Sequence, residues 1–227
     1  MQASVEIEAL ERLLRDRHSC RDFRPGPVPD QVISRLLEAA QRTASWCNVQ
    51  PWRVVVTKGE GTRRFCDALL AEVETRSPAP DFPFPREYRG VNQERRRECG
   101  FQLYSAVGVG RGEGEKAKAQ FLENFRLFGA PHVAIITTDE ALGVYGAIDC
   151  GGYVANFLLA AQALGLAAIA QAALATHSEF VRGWFGLGDD RRVICGISFG
   201  YEDEAHPANR FRTSRAALAD VVTFIEA

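Results

Sequence analysis

The segment from Gly146 to Leu164 constrains the fold of this chain more than any other. Asp149 is its only charged residue, and large side chains (Val154, Phe157, Leu158) alternate with small ones (Gly151, Gly152, Ala155, Ala160, Ala161). Apolar residues at helical spacing over that length predict a helix that is apolar on most sides. Such a helix has to be covered over most of its surface, so it is either central in a domain or part of a subunit interface.

The remaining pattern supplies layers to cover it. Apolar residues at helical spacing predict helices over Val5 to Leu14, from an N-cap at Asp30 to Arg42, over Thr62 to Thr75, Glu98 to Val107, Glu113 to Phe128 and Ser178 to Phe185. Short β-rich runs predict strands at Trp52 to Thr57, His132 to Thr138, from Ala167, and from Arg192 to Phe199. Strands separated by helices fit an α+β or an α/β layout, and no internal repeat is present. With 227 residues, 46% of them hydrophobic, the chain is expected to form one domain over 1–227.

Two segments depart from this alternation. Between Ser77 and Arg97, Pro78, Pro80, Pro83 and Pro85 interleave with Phe82, Phe84 and Tyr88, and a charged run, Glu94 to Glu98, follows. A long irregular insertion rich in aromatics is expected to be a binding lid, because disordered segments are poor in such residues. The tail from Ala205 to Ala227 carries an apolar stretch of β character, Val221 to Ile225.

Charge and cysteine use narrow the partners. A net charge of -2 and a pI near 6.1 argue against nucleic-acid or acidic-membrane binding. Six cysteines without a C-x-x-C pair, no secretory apolar region and no apolar run of spanning length predict a reduced, cytoplasmic protein.

Three motifs fail on context. Gly196-Ile197-Ser198-Phe199-Gly200 matches G-x-S-x-G, but that nucleophile elbow requires a helix just after the serine, and here a polar loop ending at Pro207 follows. The plain reading, a strand ending at Gly200, is preferred. Gly108, Gly110, Gly112 and Gly114 fit neither phosphate-loop spacing, and no strand precedes them. The four histidines are scattered without ligand spacing, so no metal is expected.

One constellation survives. Arg17-His18-Ser19-Cys20-Arg21 puts two guanidiniums and a hydroxyl close together, as a dianion requires. Ser45-Trp46-Cys47-Asn48-Val49-Gln50 offers side chains that can hydrogen-bond an uncharged polar ring. Three residues also have an ordinary reading, Arg17 and Arg21 as surface ion-pair residues and Asn48 as a turn former, while Trp52 is core in either case. Taken jointly with Arg215, those readings lose.

Arg17 to Phe23, the Pro27-Val28-Pro29 entry to a helix, Ser45-x-x-Asn48-x-Gln50-Pro51-Trp52, Asp149 to Ala161, Gln171-Ala172-Ala173 and Asn209 to Arg215 together resemble the FMN-dependent nitroreductase family. Within it, Gln171 to Ala175 and Asn209 to Arg215 point to the nitrobenzoate-reductase-like branch. The resemblance implies an α+β, three-layer α/β/α fold with a small, mainly antiparallel sheet wrapped by helices. It also implies an intertwined homodimer holding FMN at its interface, with the 205–227 extension reaching the partner subunit.

Carried over by position, Arg17, His18, Ser19 and Arg21 bind FMN, His18 mainly through its backbone and ring. Arg215 completes the phosphate site, assisted by Arg212. Ser45, Trp46 and Asn48 lie along the isoalloxazine from the other subunit, and Gln171, Ala172 and Ala173 present backbone N–H groups to it. Trp46, Phe82, Phe84, Tyr88 and Phe128 are the candidates for the acceptor pocket, although Phe125 and Phe128 read equally well as core. The flavin carries the chemistry, so no side chain is assigned as catalytic.

The implied reaction is ping-pong: NADH or NADPH reduces the flavin, and a nitroaromatic or quinone-like acceptor reoxidises it. The alternatives are a flavin-dependent dehydrogenase, dehalogenase or flavin-fragmenting enzyme on the same scaffold, or an FMN-binding protein without turnover. Arg182 reads as a surface arginine unrelated to the site.

Overall fold

One strand, β2 (His132–Asp139), is buried on both faces and sets the layering of the molecule. Its side chains alternate with the two-residue period of a strand: Ala134 and Ile136 enter one apolar cluster, Val133 and Ile135 another. This computed structural model describes residues 4–226; residues 1–3 and 227 of the expected domain lie outside the described residues.

β2 pairs with β1 (Arg53–Val56) and β4 (Arg191–Gly200), and β4 also pairs with β3 (Ala167–Gln171), giving the order β1-β2-β4-β3. Every pairing is antiparallel, which selects α+β over α/β. On one face, α2 (Asp30–Ala40) contributes Ile33, Leu36 and Ala40, and α6 (Gly143–Ala163) contributes Cys150, Tyr153, Phe157 and Ala161. On the other, α3 (Glu60–Thr75) contributes Phe65 and Leu69, and α7 (Ser178–Phe185) contributes Val181. The result is the expected three-layer α/β/α arrangement.

A bulge lets β4 serve both layers. Ile136 pairs with Cys195 and Thr137 with Val193, so Ile194 is an extra residue on β4. Val193 therefore faces the α3/α7 layer, whereas Cys195, Ile197 and Phe199 face the α2/α6 layer.

Several boundaries differ from those read in the sequence. Asp30 is not the cap of α2 but its first residue, and its carboxylate accepts from Lys58 Nζ at 2.9 Å. α4 (Gly90–Ala106) starts well before Glu98, which confines the irregular insertion to 77–89. The charged run belongs to this helix because no residue of α4 is buried, so no apolar period was imposed on it.

α5 (Gly114–Leu122) stops short of Phe128, because Leu127 and Phe128 take φ of +58° and +54°, which a right-handed helix cannot accommodate. Phe128 is 3% exposed and packs with Phe125 in the α3/α7 layer, so its core reading holds. Residues 221–225 form no strand; a short 3-10 turn, Leu218–Asp220, precedes them.

α6 also corrects the expectation that no apolar run of spanning length exists. With the turn before it, residues 140–163 are long and apolar enough by length and composition to cross a membrane. One stripe of that helix packs on α2 and the sheet, while Val144, Tyr145 and Ile148 on another are 56–63% exposed in this chain.

Candidate functional site

α1 (Val5–Asp16) ends where Arg17 turns extended, at φ -63° and ψ 129°. The chain then runs beside β3: Ser19 bridges to Ala168, and Cys20 N–H donates to Ala168 O at 3.3 Å. An extended run places alternate side chains on opposite sides. Cys20 accordingly points into the core, where burial pushes its thiol up to about 12, while Arg17, Ser19 and Arg21 line a cavity of about 440 Å³.

The other wall of this cavity comes from the far end of the chain: Phe211, Arg212, Thr213 and Arg215, with Cys99 of α4 between. Asn209, 2% exposed, joins the two walls. Its Oδ1 accepts from Arg21 N–H at 2.6 Å, and its Nδ2 donates to Asp22 O and Asp203 O, both at 2.9 Å. The Arg21 guanidinium lies over Phe211, 5.3 Å from the ring centroid, and donates to Ser19 O at 3.1 Å. Arg212 donates to Asn209 O at 2.6 Å, and Arg215 to Thr213 Oγ1 at 3.0 Å.

Arg17, Arg21, Arg212 and Arg215 thus converge, and none of them has a carboxylate partner among the described residues. Burial, and then repulsion from Arg215, holds Arg17 below its ordinary range; burial does the same for Arg21. Partly desolvated cations facing one cavity without a counter-charge form a receptor for an anion of more than one charge. His18 also borders the cavity, with its ring nitrogens engaged: Nε2 lies 2.9 Å from Glu202 Oε1 and Nδ1 3.3 Å from Asp16 O.

Gln171, Ala172 and Ala173 lie at the far end of β3, about 10 Å along the strand from Ala168 at the usual rise per residue. The Gln171 side chain turns inward, donating from Nε2 to Asn124 O at 2.8 Å and accepting from Ser198 Oγ at 2.5 Å. Ala172 is exposed and Ala173 half-buried.

Ser45, Trp46 and Asn48 do not line the arginine cavity of their own chain. Their turn is strained, with φ of +50° at Cys47, +56° at Asn48 and +50° at Gln50. Three contacts fix it. Ser45 Oγ accepts from Gln50 N–H at 2.9 Å, the Asp149 carboxylate accepts from Trp46 N–H at 3.2 Å, and the Trp46 ring meets Tyr145 edge-on at 4.6 Å.

Phe82 is half-buried, and Phe84 and Tyr88 are exposed; none lines the arginine cavity. Their segment is anchored by Asp81, which pairs with Arg182 and accepts from Val193 N–H at 2.8 Å. Arg182 is therefore no surface residue: its side chain is 13% exposed and holds the insertion down.

Sequence reasoning assigned no role to Asp149, Asn209, Phe211 or Asp81. Signals were available for Asp149, the lone acid in an apolar helix, and for Asn209 and Phe211, which lie in the Asn209–Arg215 motif. Asp81 acts through contacts with distant segments, which leave no local pattern.

The nitroreductase family profile matches residues 14–201 of this chain. Nitroreductase NfnB of Mycolicibacterium smegmatis is 36% identical over 219 residues, covering 96% of this chain and 93% of that protein. A 4-nitrobenzoate reductase of Nocardioides sp. is 32% identical over 224 residues, covering 96% and 91%. The crystal structure of the FMN-dependent nitroreductase NfnB from Mycobacterium smegmatis in complex with NADPH superposes with a TM-score of 0.93 at 34% identity, covering 97% of this chain and 100% of that one.

Proposed function

The chain belongs to the nitroreductase family, and from that premise we propose that it is an FMN-dependent oxidoreductase carrying electrons from NADH or NADPH to nitroaromatic or quinone-like acceptors. The observation that carries this reading is the cavity lined by five arginines drawn from both ends of the chain, of which all but Arg15 lack an acidic partner among the described residues. A phosphate dianion fits that donor set, and Ser19 adds a hydroxyl. When bound, FMN supplies the two-electron chemistry for which the chain's own side chains offer no acid, base or nucleophile.

The protein's part is to hold, orient and enclose. Arg17, Ser19, Arg21 and Arg215, assisted by Arg212, hold the phosphate, with His18 contributing backbone and ring contacts. From there β3 leads to Gln171, Ala172 and Ala173, whose backbone N–H groups would serve as donors to the polar edge of bound FMN and would favour its reduced, negatively charged form. Ser45, Trp46 and Asn48 close the site from a second copy of the chain, Trp46 limiting acceptor size alongside Phe82, Phe84 and Tyr88. Phe128 is left out, as it is core.

A homodimer is part of the proposal. Its support is the exposed Val144, Tyr145 and Ile148 stripe of α6, continuous with exposed Gly151, Gly152 and Ala155 and with Trp46. Of the 205–227 extension, the part up to Arg215 packs on its own chain through Asn209 and lines its own cavity, which corrects the expectation for that part; the stretch beyond Arg215 is assigned to the partner subunit's surface, in keeping with exposed Val221, Phe224 and Ile225. We place the protein in the cytoplasm as one domain with a lid at 77–89; its six free cysteines fit a reduced compartment.

The decisive experiment is the visible spectrum of the purified protein, followed by anaerobic addition of NADH or NADPH. A bound flavin bleached by a nicotinamide and restored by a nitroaromatic is the expected result. A colourless protein that takes up no added FMN would refute the reading.

A further inference from the structure

The Gly196-Ile197-Ser198-Phe199-Gly200 stretch does not line the arginine cavity, yet its three small residues have specific contacts. Gln171 of β3 pairs with Gly196 of β4, so Ser198, two residues on, is its diagonal neighbour on the same face. Ser198 is fully buried and donates to Gln171 Oε1 at 2.5 Å, while Gln171 passes the chain on to Asn124 O at 2.8 Å. In an apolar layer each of these groups depends on the next, and loss of one leaves the other unpaired.

Gly196 supplies a second anchor. A Cβ there would run into Leu174 Cδ1 and lie 3.4 Å from Ile135 Cδ1, so the missing side chain is the notch that receives the fully buried Leu174. Ala172 and Ala173 are thus suspended between two fixed points on the same strand: Gln171 before them, held by Ser198, and Leu174 after them, seated on Gly196. Gly200 repeats the device, since a Cβ there would lie 2.7 Å from Pro131 and 3.4 Å from Phe23, which follows the Arg17–Arg21 run.

We propose that this stretch of β4 positions the flavin-facing turn, with Ser198 acting through Gln171 to aim the backbone N–H groups of Ala172 and Ala173 and so to set the reduction potential of the bound flavin. The proposal rests on the FMN reading of the preceding section. Ser198 is a positioning residue: it touches neither flavin nor acceptor. Asn124 completes the network from the turn that carries Leu127 and Phe128 at positive φ, a conformation that persists only where its surroundings over-determine it.

The test uses the FMN-loaded protein and the variants Ser198→Ala, Gln171→Met, their double mutant, and Ser198→Thr, which keeps the hydroxyl. FMN stoichiometry, thermal midpoint and flavin midpoint potential are measured for each. Ser198→Ala is expected to retain FMN, because the arginine cavity is untouched, and the potential of Gln171→Met, which alters a residue of the site itself, is read on its FMN-loaded fraction. Both should shift the bound flavin's equilibrium about tenfold toward the oxidised form, about 30 mV for a two-electron couple.

The double mutant should shift no further than either single, and Ser198→Thr should return most of the difference. Lower thermal midpoints with unchanged potentials in the FMN-loaded single mutants would reduce Ser198 to a packing role and overturn the proposal. If Ser198→Ala does not fold, an unchanged potential in Gln171→Met overturns it alone. A wild-type protein that takes up no FMN is a separate failure, overturning the flavin reading itself.

Discussion

Arg215→Ala tests the arginine cavity most directly, and the structure gives both its size and its control. Arg215 is exposed, donates only to Thr213 and Ser214 nearby, and raises the electrostatic cost of charging Arg17. Removing it takes nothing from the core and relieves repulsion, so the thermal midpoint of the apoprotein should hold or rise slightly. With phosphate present the sign reverses. One charge-assisted hydrogen bond contributes about 1.5–3 kcal/mol, and the exposed position favours the low end. FMN should therefore bind roughly 10- to 150-fold more weakly.

The assay is flavin retained after dilution and gel filtration, with dissociation constants from fluorescence titration of apoprotein. Arg64→Ala is the control, because Arg64 is exposed on α3 and lines no part of the cavity. Arg182→Ala would mislead, since it breaks the Asp81 pair. The wild-type constant should weaken with salt, and less steeply in Arg215→Ala, because screening acts on the charge removed. Equal constants for Arg215→Ala and Arg64→Ala would refute the phosphate assignment.

Other predictions address the surrounding structure. Asp81→Ala leaves Arg182 and Val193 N–H unpaired where little water reaches, so urea unfolding should show a loss of about 3–5 kcal/mol, with Asp81→Asn costing less. Ile148→Arg puts a charge on the exposed stripe of α6 and should halve the mass seen by light scattering, while leaving the chain folded by circular dichroism. His132 accepts from Val28 N–H at 2.9 Å and meets Thr57 O at 3.1 Å, so it is neutral with its proton on Nδ1. Burial lowers the folded-state pKa of His132 and of His177 below 6.5. Their contribution is therefore complete above about pH 6.5 and lost as pH falls through the lowered values, by at most about 1.4 kcal/mol per pH unit each. Denaturant unfolding at pH 7.5 and 5.5 checks this, and equal stabilities would contradict it.

The helices and strands that bury a face were legible because burial imposes a period on the residues, as in α7, read to the residue, and β2. The reading failed at the start of α4, whose charged first turns carry no apolar period and looked like loop, whereas α1 keeps such a period and was read although none of its residues is buried. α5 was read too long because Phe125 and Phe128 keep helical spacing, although the helix ends at Leu122 and positive φ at Leu127 and Phe128 bars its continuation through Phe128. For the site, the Arg17–Arg21 run was legible because its alternation carries charge at fixed spacing. Asp81 and Arg182 were not, because their significance is a buried pairing between distant segments.

By itself the sequence determined the alternation of strands and helices, the apolar character of the long helix and which arginines are available to a dianion, since these follow from periodicity and side-chain chemistry within short stretches; the three-layer arrangement came from the family resemblance. Only the tertiary structure decided that Arg17, Arg21, Arg212 and Arg215 share one cavity without carboxylates, that Arg182 is a tether, and that Ser198 supports Gln171. Those outcomes depend on which side of a strand or turn meets which distant segment. A single bulge at Ile194 or a notch at Gly196 changes that, while leaving local propensity almost untouched.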